Sequence, residues 1–292
     1  MTRGLFIIGA AASIMVATSA TAQDARYLAS QLIAADRGFS TAGAKANLAD
    51  SIGAMLAENA VMPTPALDFA IGRTAIIAAL KANPANANLT GEWSPIRVGI
   101  SADGTQGFTY GFMFLHEAGK ADRRAKYLSY WVKRPEGWRV AFYKRAASPE
   151  GNVTTRVDPA IPEDLVDPDP QRLQENLASL KAAEQAFSDR AQELGIGPAF
   201  VEFGSEDAMN MGTGSDFTFG NAAIGDLVAA SNPTPITWGP DKGAVVATSG
   251  DLGVTWGFIR PKEPKAGEPA AFPFFTVWRK ASPDLPWRYV AE

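Results

Sequence analysis

One stretch of this chain occurs twice, and that repeat limits the possible folds more than any other feature. Residues 32–76 read LIAADRGFSTAGAKANLADSIGAMLAENAVMPTPALDFAIGRTAI, and residues 180–224 read LKAAEQAFSDRAQELGIGPAFVEFGSEDAMNMGTGSDFTFGNAAI. They align without a gap at a shift of 148 residues, with twelve of 45 positions identical. Composition alone would give roughly three or four. The identities fall at structural punctuation: Phe39/Phe187, Glu58/Glu206, Ala60/Ala208, Asp68/Asp216, Phe69/Phe217, Gly72/Gly220 and Ile76/Ile224. Self-similarity at a fixed spacing means one supersecondary unit built twice. A length of 292 residues holds two domains of ordinary size.

Each unit has the same predicted order of elements. Leu28, Leu32, Ala35 and Phe39 recur at helical spacing, predicting a helix over 24–39. Leu173, Leu177, Leu180 and Phe187 form the matching stripe, with Glu175, Lys181 and Glu184 read as lying off it. Shorter helices are expected over 48–56 and 196–203. A hairpin follows, Ala60–Met62 and Asp68–Ile71 about Pro63-Thr64-Pro65, matched by Ala208–Met211 and Asp216–Phe219 about Gly212-Thr213-Gly214. Pro and Gly exchange at that turn because both serve turn geometry. Gly72 and Gly220 lead into helices over 74–81 and 222–230. The rest of each half is rich in β-formers. Gly107-Phe-Thr-Tyr-Gly-Phe112 matches Gly253-Val-Thr-Trp-Gly-Phe258, and Trp93/Trp238, Trp131/Trp278 and Trp138/Trp287 recur at equivalent places.

Residues 148–170 separate the halves, with five prolines, six acids and a single base, Arg156. That composition makes an extended, stiff linker. At the N-terminus Arg3 precedes the uncharged run Leu5–Ala20, and Ala20-Thr21-Ala22 is a small-residue cleavage site. This pattern predicts an export signal over 1–22, cleavage after Ala22 and a soluble periplasmic or secreted protein. With no cysteine there is no disulfide, no thiolate metal site and no lipidated cysteine anchor. A net charge of −4 offers no basic face for a phosphate backbone, so no nucleic-acid partner is expected.

The order of two helices, a short hairpin ending in Gly, a third helix and a long meander resembles the nuclear transport factor 2-like superfamily. Within it the likeness is to SnoaL-like and ketosteroid-isomerase-like domains. It rests on Ala57-Glu58-Asn59-Ala60-Val61 through Gly72-Arg73-Thr74-Ala75-Ile76 and on Glu206-Asp207-Ala208-Met209 through Gly220-Asn221-Ala222-Ala223-Ile224. The strand endings Trp131-Val132-Lys133 with Gly137-Trp138-Arg139, and Trp278-Arg279-Lys280 with Trp287-Arg288, fit as well. The resemblance implies an α+β fold of two tandem cone-shaped domains, residues 24–147 and 171–292, each a curved antiparallel sheet wrapped around helices. Single-domain members that dimerise through their sheets imply an intramolecular pseudo-dimer here, a monomer in solution, with the repeated tryptophans supplying contact area.

The same resemblance places an isomerase base at Thr64 and Gly212, and a phenol at or next to Phe39 and Phe187. None of the four supplies the group that enolisation needs. Weak catalytic candidates are Glu58, Asp68 and the single histidine, His116. The bland reading has Glu58 satisfying backbone donors at a helix-to-strand turn and Asp68 bonding its own turn. No metal ligands of the required kind and no cofactor motif occur, so neither metal nor cofactor is expected. Phe39, Met62, Phe69, Tyr110, Tyr130, Phe187, Met211, Phe217 and Trp256 are the candidate lining of pockets for a small apolar ligand. The functional expectation is a ligand-binding or scaffold module without catalysis. An isomerase- or cyclase-like enzyme acting on a small carbonyl compound, and a protein-interaction module, are the alternatives.

Overall fold

The computed structural model describes residues 17–292 apart from 232–234, 265–266, 268 and 283. The expected export signal lies largely outside these residues. In the first half, α1 (Ala17–Gly43) is followed by α2 (Leu48–Met55), β1 (Leu56–Pro63), β2 (Phe69–Ile71) and α3 (Arg73–Ala82). The meander β3 (Leu89–Ile100), β4 (Gln106–Glu117), β5 (Arg123–Arg134) and β6 (Gly137–Ser148) completes it. Asn47 starts α2 by accepting the Ala49 N–H at 3.0 Å, satisfying a donor that the first helical turn leaves free.

The second half repeats this order with α4 (Leu173–Leu194), α5 (Ile196–Phe203), β7 (Gly204–Asn210), β8 (Thr218–Phe219) and α6 (Asn221–Ser231). Its meander is β9 (Ile236–Val246), β10 (Leu252–Pro261), β11 (Phe272–Arg279) and β12 (Arg288–Ala291). The repeated glycines have a common cause. A Cβ on Gly111 would meet the Ser94 carbonyl oxygen at 2.1 Å, and one on Gly257 would meet the Gly239 carbonyl oxygen at 2.1 Å. At both places a bulged neighbouring strand leaves no room for a side chain.

The two sheets are separate, with strand orders β2-β1-β6-β5-β4-β3 and β8-β7-β12-β11-β10-β9. This is the expected α+β architecture of two cones, corrected in one respect. Each sheet is mixed, because β1 pairs parallel with β6 and β7 pairs parallel with β12. Parallel neighbours need a long crossover, and α3 with three strands of the meander supplies it. The linker runs extended beside β3, where Val157 N–H bonds the Ile96 carbonyl at 2.9 Å and Ala160 N–H bonds the Val98 carbonyl at 2.9 Å.

Among the described residues three apolar clusters form. One lies between the first sheet and its helices and one between the second sheet and its helices. The third lies between the sheets and draws Phe108, Tyr110, Leu128 and Phe142 from the first half and Met209, Val254, Phe275 and Val277 from the second. Polar ties cross the same boundary. The Arg97 guanidinium pairs with Asp207, and the Lys126 ammonium donates to the carbonyls of Gly212, Gly214 and Asp216 at 3.2, 2.8 and 3.0 Å. The tryptophans do not supply this contact as expected. Trp93, Trp131 and Trp138 fill the first cone and Trp238, Trp278 and Trp287 the second, leaving Trp256 at the boundary. A buried indole N–H favours a partner, and the helix side of the sheets provides one for Trp93, Trp131, Trp238, Trp278 and Trp287.

Candidate ligand cavity in the second half

Both cones are organised around one buried acid on their first long helix. In the first, Asp36 accepts the Trp93 indole N–H at 2.7 Å and the Tyr127 hydroxyl at 2.8 Å. In the second, Glu184 accepts the Trp238 indole N–H at 2.7 Å, the Trp278 indole N–H at 2.9 Å and the Thr255 hydroxyl. Four residues on, Ser40 and Ser188 accept the backbone N–H of Trp93 and Trp238 at 2.7 and 3.0 Å. Asp36 and Glu184 are the same position of the repeat. Burial raises both: Asp36 to about 6, against the bonds from Tyr127, Thr109 and Trp93, and Glu184 to about 7, against those from Thr255, Trp278 and Trp238. Glu184 thus lies on the buried face of its helix, which corrects its placement off the apolar stripe.

The cones differ in what stands over that acid. Tyr127 is the partner of Gly111 across β4 and β5, and Phe274 is the partner of Gly257 across β10 and β11, so the two rings are equivalent by register. Leu48, Ile52, Met113 and Tyr127 are all buried in the first core. Their counterparts Ile196, Phe200, Ile259 and Phe274 line a cavity of about 490 Å³ in the second. That volume is within the roughly 300–1,000 Å³ common for small-molecule sites. The walls are Phe187, Phe200, Trp238, Phe272, Phe274, Phe275 and aliphatic side chains.

Five polar residues line the same cavity: Glu184, Asn210, Thr276, Glu292 and Lys144. Asn210 donates to the Glu292 carboxylate at 2.8 Å. Burial raises Glu292, with the Asn210 bond and the Lys144 charge acting against it. Lys144 belongs to β6 of the first half and crosses to the second cone. Its ammonium donates to the Phe275 carbonyl at 3.2 Å and sits 4.5 Å from the centroid of the Phe275 ring. Burial pulls it down to about 8, with Glu292 opposing. In the first half the positions of Asn210 and Glu292 hold Met62 and Tyr143, both buried. The acid on the helix is therefore common to both cones, and the group of Lys144, Asn210 and Glu292 is particular to the open one.

Of the nine candidate lining residues only Phe187 borders this cavity. Phe39 stacks on Trp131 at 6.1 Å, and Met62 is buried in the first core. Tyr110, Tyr130, Met211 and Phe217 lie in the cluster between the sheets, with Phe69 and Trp256 packed against it. Successive strand residues point to opposite faces, so Tyr110 turns away from the cone that Gly111 and Met113 face. The catalytic candidates are outside as well. Glu58 pairs with Arg73 at 2.8 Å with its side chain 81% exposed, so it bonds a guanidinium rather than the backbone donors expected for it. Asp68 accepts the Phe69 N–H at 2.8 Å. His116 pairs with Asp122 at 2.8 Å on the surface. Among the described residues no three His, Asp or Glu side chains gather as a metal site. None of their helices is long and apolar enough to cross a membrane.

No protein-family model and no curated protein matches the sequence. Solved structures do match in shape. One is a nuclear transport factor 2-like protein with a cystatin-like fold from Novosphingobium aromaticivorans, 17% identical, covering 43% of this chain and 83% of its own, with a TM-score of 0.32. A domain of unknown function with a cystatin-like fold from Nostoc punctiforme is similar at 17% identity over 45% of this chain and 80% of its own, TM-score 0.30. A ketosteroid isomerase-like protein from Erwinia carotovora atroseptica is similar at 15% identity over 39% of this chain and 98% of its own, TM-score 0.29.

Proposed function

We propose that this is an exported small-molecule-binding protein whose nuclear transport factor 2-like halves have divided their roles. The second cone is the ligand site, and the first is a filled partner that braces it and contributes Lys144. The observation that carries this reading is the contrast between equivalent residues, buried over Asp36 and lining a cavity of about 490 Å³ over Glu184. The ligand is a compact, mainly apolar molecule with one polar end. Its apolar body is held by Phe187, Phe200 and Phe274, and its polar end meets Lys144, Asn210 and Glu292. Export rests on the Arg3, Leu5–Ala20 and Ala20-Thr21-Ala22 pattern, and N-terminal sequencing of the mature protein should begin at Gln23.

The dye 8-anilinonaphthalene-1-sulfonate, apolar with one anionic end, is a suitable probe. Fluorescence titration should saturate at one dye per chain. Ile236→Trp and Ile259→Trp, which put bulk into the cavity, should each weaken binding at least about tenfold. Non-saturating binding, or affinity unchanged in both variants, would overturn the assignment of the site.

A further inference from the structure

Lys144 is placed as no ordinary surface lysine would be. It enters the second cone from the other half of the molecule and lines the cavity. Among the described residues no carboxylate lies within ion-pair distance of its nitrogen. Among the described residues its one hydrogen-bond acceptor is the Phe275 carbonyl at 3.2 Å, which leaves an ammonium with three N–H donors poorly satisfied. The other ionisable groups on the cavity wall are Glu184, from α4, and Glu292, beyond β12.

We infer that Lys144 captures carbonyl compounds: it condenses with the aldehyde or ketone group of an apolar molecule seated in the second cavity and holds it as an imine. The inference rests on the ligand-cavity reading above and adds the chemical class of the ligand. The nitrogen lone pair adds to the carbonyl carbon to give a carbinolamine. The C–O bond then breaks, the carbonyl oxygen leaves as water with both amine protons, and a C=N bond remains. No oxidant or reductant is consumed. Only the unprotonated amine attacks, and desolvation in an apolar pocket is one way of supplying it. With Lys144 near 8, roughly one amine in ten is neutral at pH 7, against roughly one in three thousand for an unperturbed lysine. Glu292, which lines the same cavity, is the carboxyl that would carry protons to the departing oxygen, and apolar walls protect the imine from hydrolysis.

The test treats the full chain with benzaldehyde and sodium cyanoborohydride, which reduces an imine to a stable benzylamine, and maps adducts by peptide mass. Lys144 should be labelled at least about tenfold faster than any other lysine, with a rate that rises with pH to a plateau about a midpoint near 8. Lys144→Met should lose the fast phase, and Lys144→Arg, which keeps the charge, should lose it too. Labelling of Lys144 at the rate of the remaining lysines in the native protein would overturn the inference, and this arm needs no variant. A dye titration on the same sample separates the two readings. Saturable dye binding without fast labelling refutes only the role of Lys144, and failure of both refutes the cavity reading as well.

Discussion

Asp103 and Asp251 each reach across the molecule to the turn that holds the other. The Asp103 carboxylate accepts the Thr248 hydroxyl at 2.8 Å and the Ser249 N–H at 3.1 Å. The Asp251 carboxylate accepts the Ala102 N–H at 3.0–3.1 Å. Such reciprocity is the signature of a twofold interface, built here from two halves of one chain. Asp251→Ala should leave the Ala102 N–H without its partner and cost about 1–3 kcal/mol in urea unfolding. Because the sheets share a core, tryptophan fluorescence and circular dichroism should report a single coincident transition in both proteins. Two separated transitions would show that the halves do not support each other.

The same contact bears on assembly. The sheet faces available for pairing with a second molecule are occupied by Tyr110, Phe142, Phe217 and Phe275 packed on one another. We expect a monomer, and light scattering at micromolar concentration should return the mass of one chain. Twice that mass would require an interface elsewhere on the surface.

The repeat made much of the fold legible. α5 falls on the expected residues 196–203, and each hairpin, third helix and meander stands in its expected order. The faces of β4 were harder to read. Its cone-facing positions include Gly107 and Gly111, which carry no side chain, while Phe108, Tyr110 and Phe112 point to the partner sheet. Alternation was present, but the glycines hid which face was core, and a shift of one residue inverts every assignment. Glu184 was within reach. It follows Leu180 by four and precedes Phe187 by three, helical spacings that share a face, and its counterpart Asp36 is also an acid. Lys144 was not readable at all, because its entry into the second cone depends on how the halves dock and leaves no local pattern.

Tyr127→Phe places in the first cone the side chain that the second carries at that position. The ring stays, so no cavity opens, but Asp36 loses the hydroxyl donor at 2.8 Å. Stability near neutral pH should fall by about 1–3 kcal/mol. Asp36 should also titrate above its present value of about 6, since the Tyr127 bond is the largest influence holding it down against burial. Thermal unfolding between pH 4 and 8 measures both, and an unchanged profile would mean that the hydroxyl contributes nothing to the carboxyl.

Glu184 should leave its own mark on stability against pH. Its carboxyl titrates at about 7 in the folded protein, raised by burial from the ordinary 4.5. Below pH 4.5 folded and unfolded states are both protonated and the group adds no pH dependence. Between 4.5 and 7 the folded state holds more protons than the unfolded one, so unfolding free energy falls as pH rises. Above 7 both states are ionised and the loss is complete, about 3 kcal/mol in all. Glu184→Gln cannot ionise and should be less sensitive to pH across that window, whatever its absolute stability. Asp36 would still supply its own slope between 3.8 and about 6. The decisive interval is therefore pH 6 to 7, where the native protein should lose stability more steeply than the variant, in which Asp251 and Glu292, also raised by burial, still contribute. Parallel curves through that interval in urea titrations would show that Glu184 is already ionised in the folded protein below pH 6.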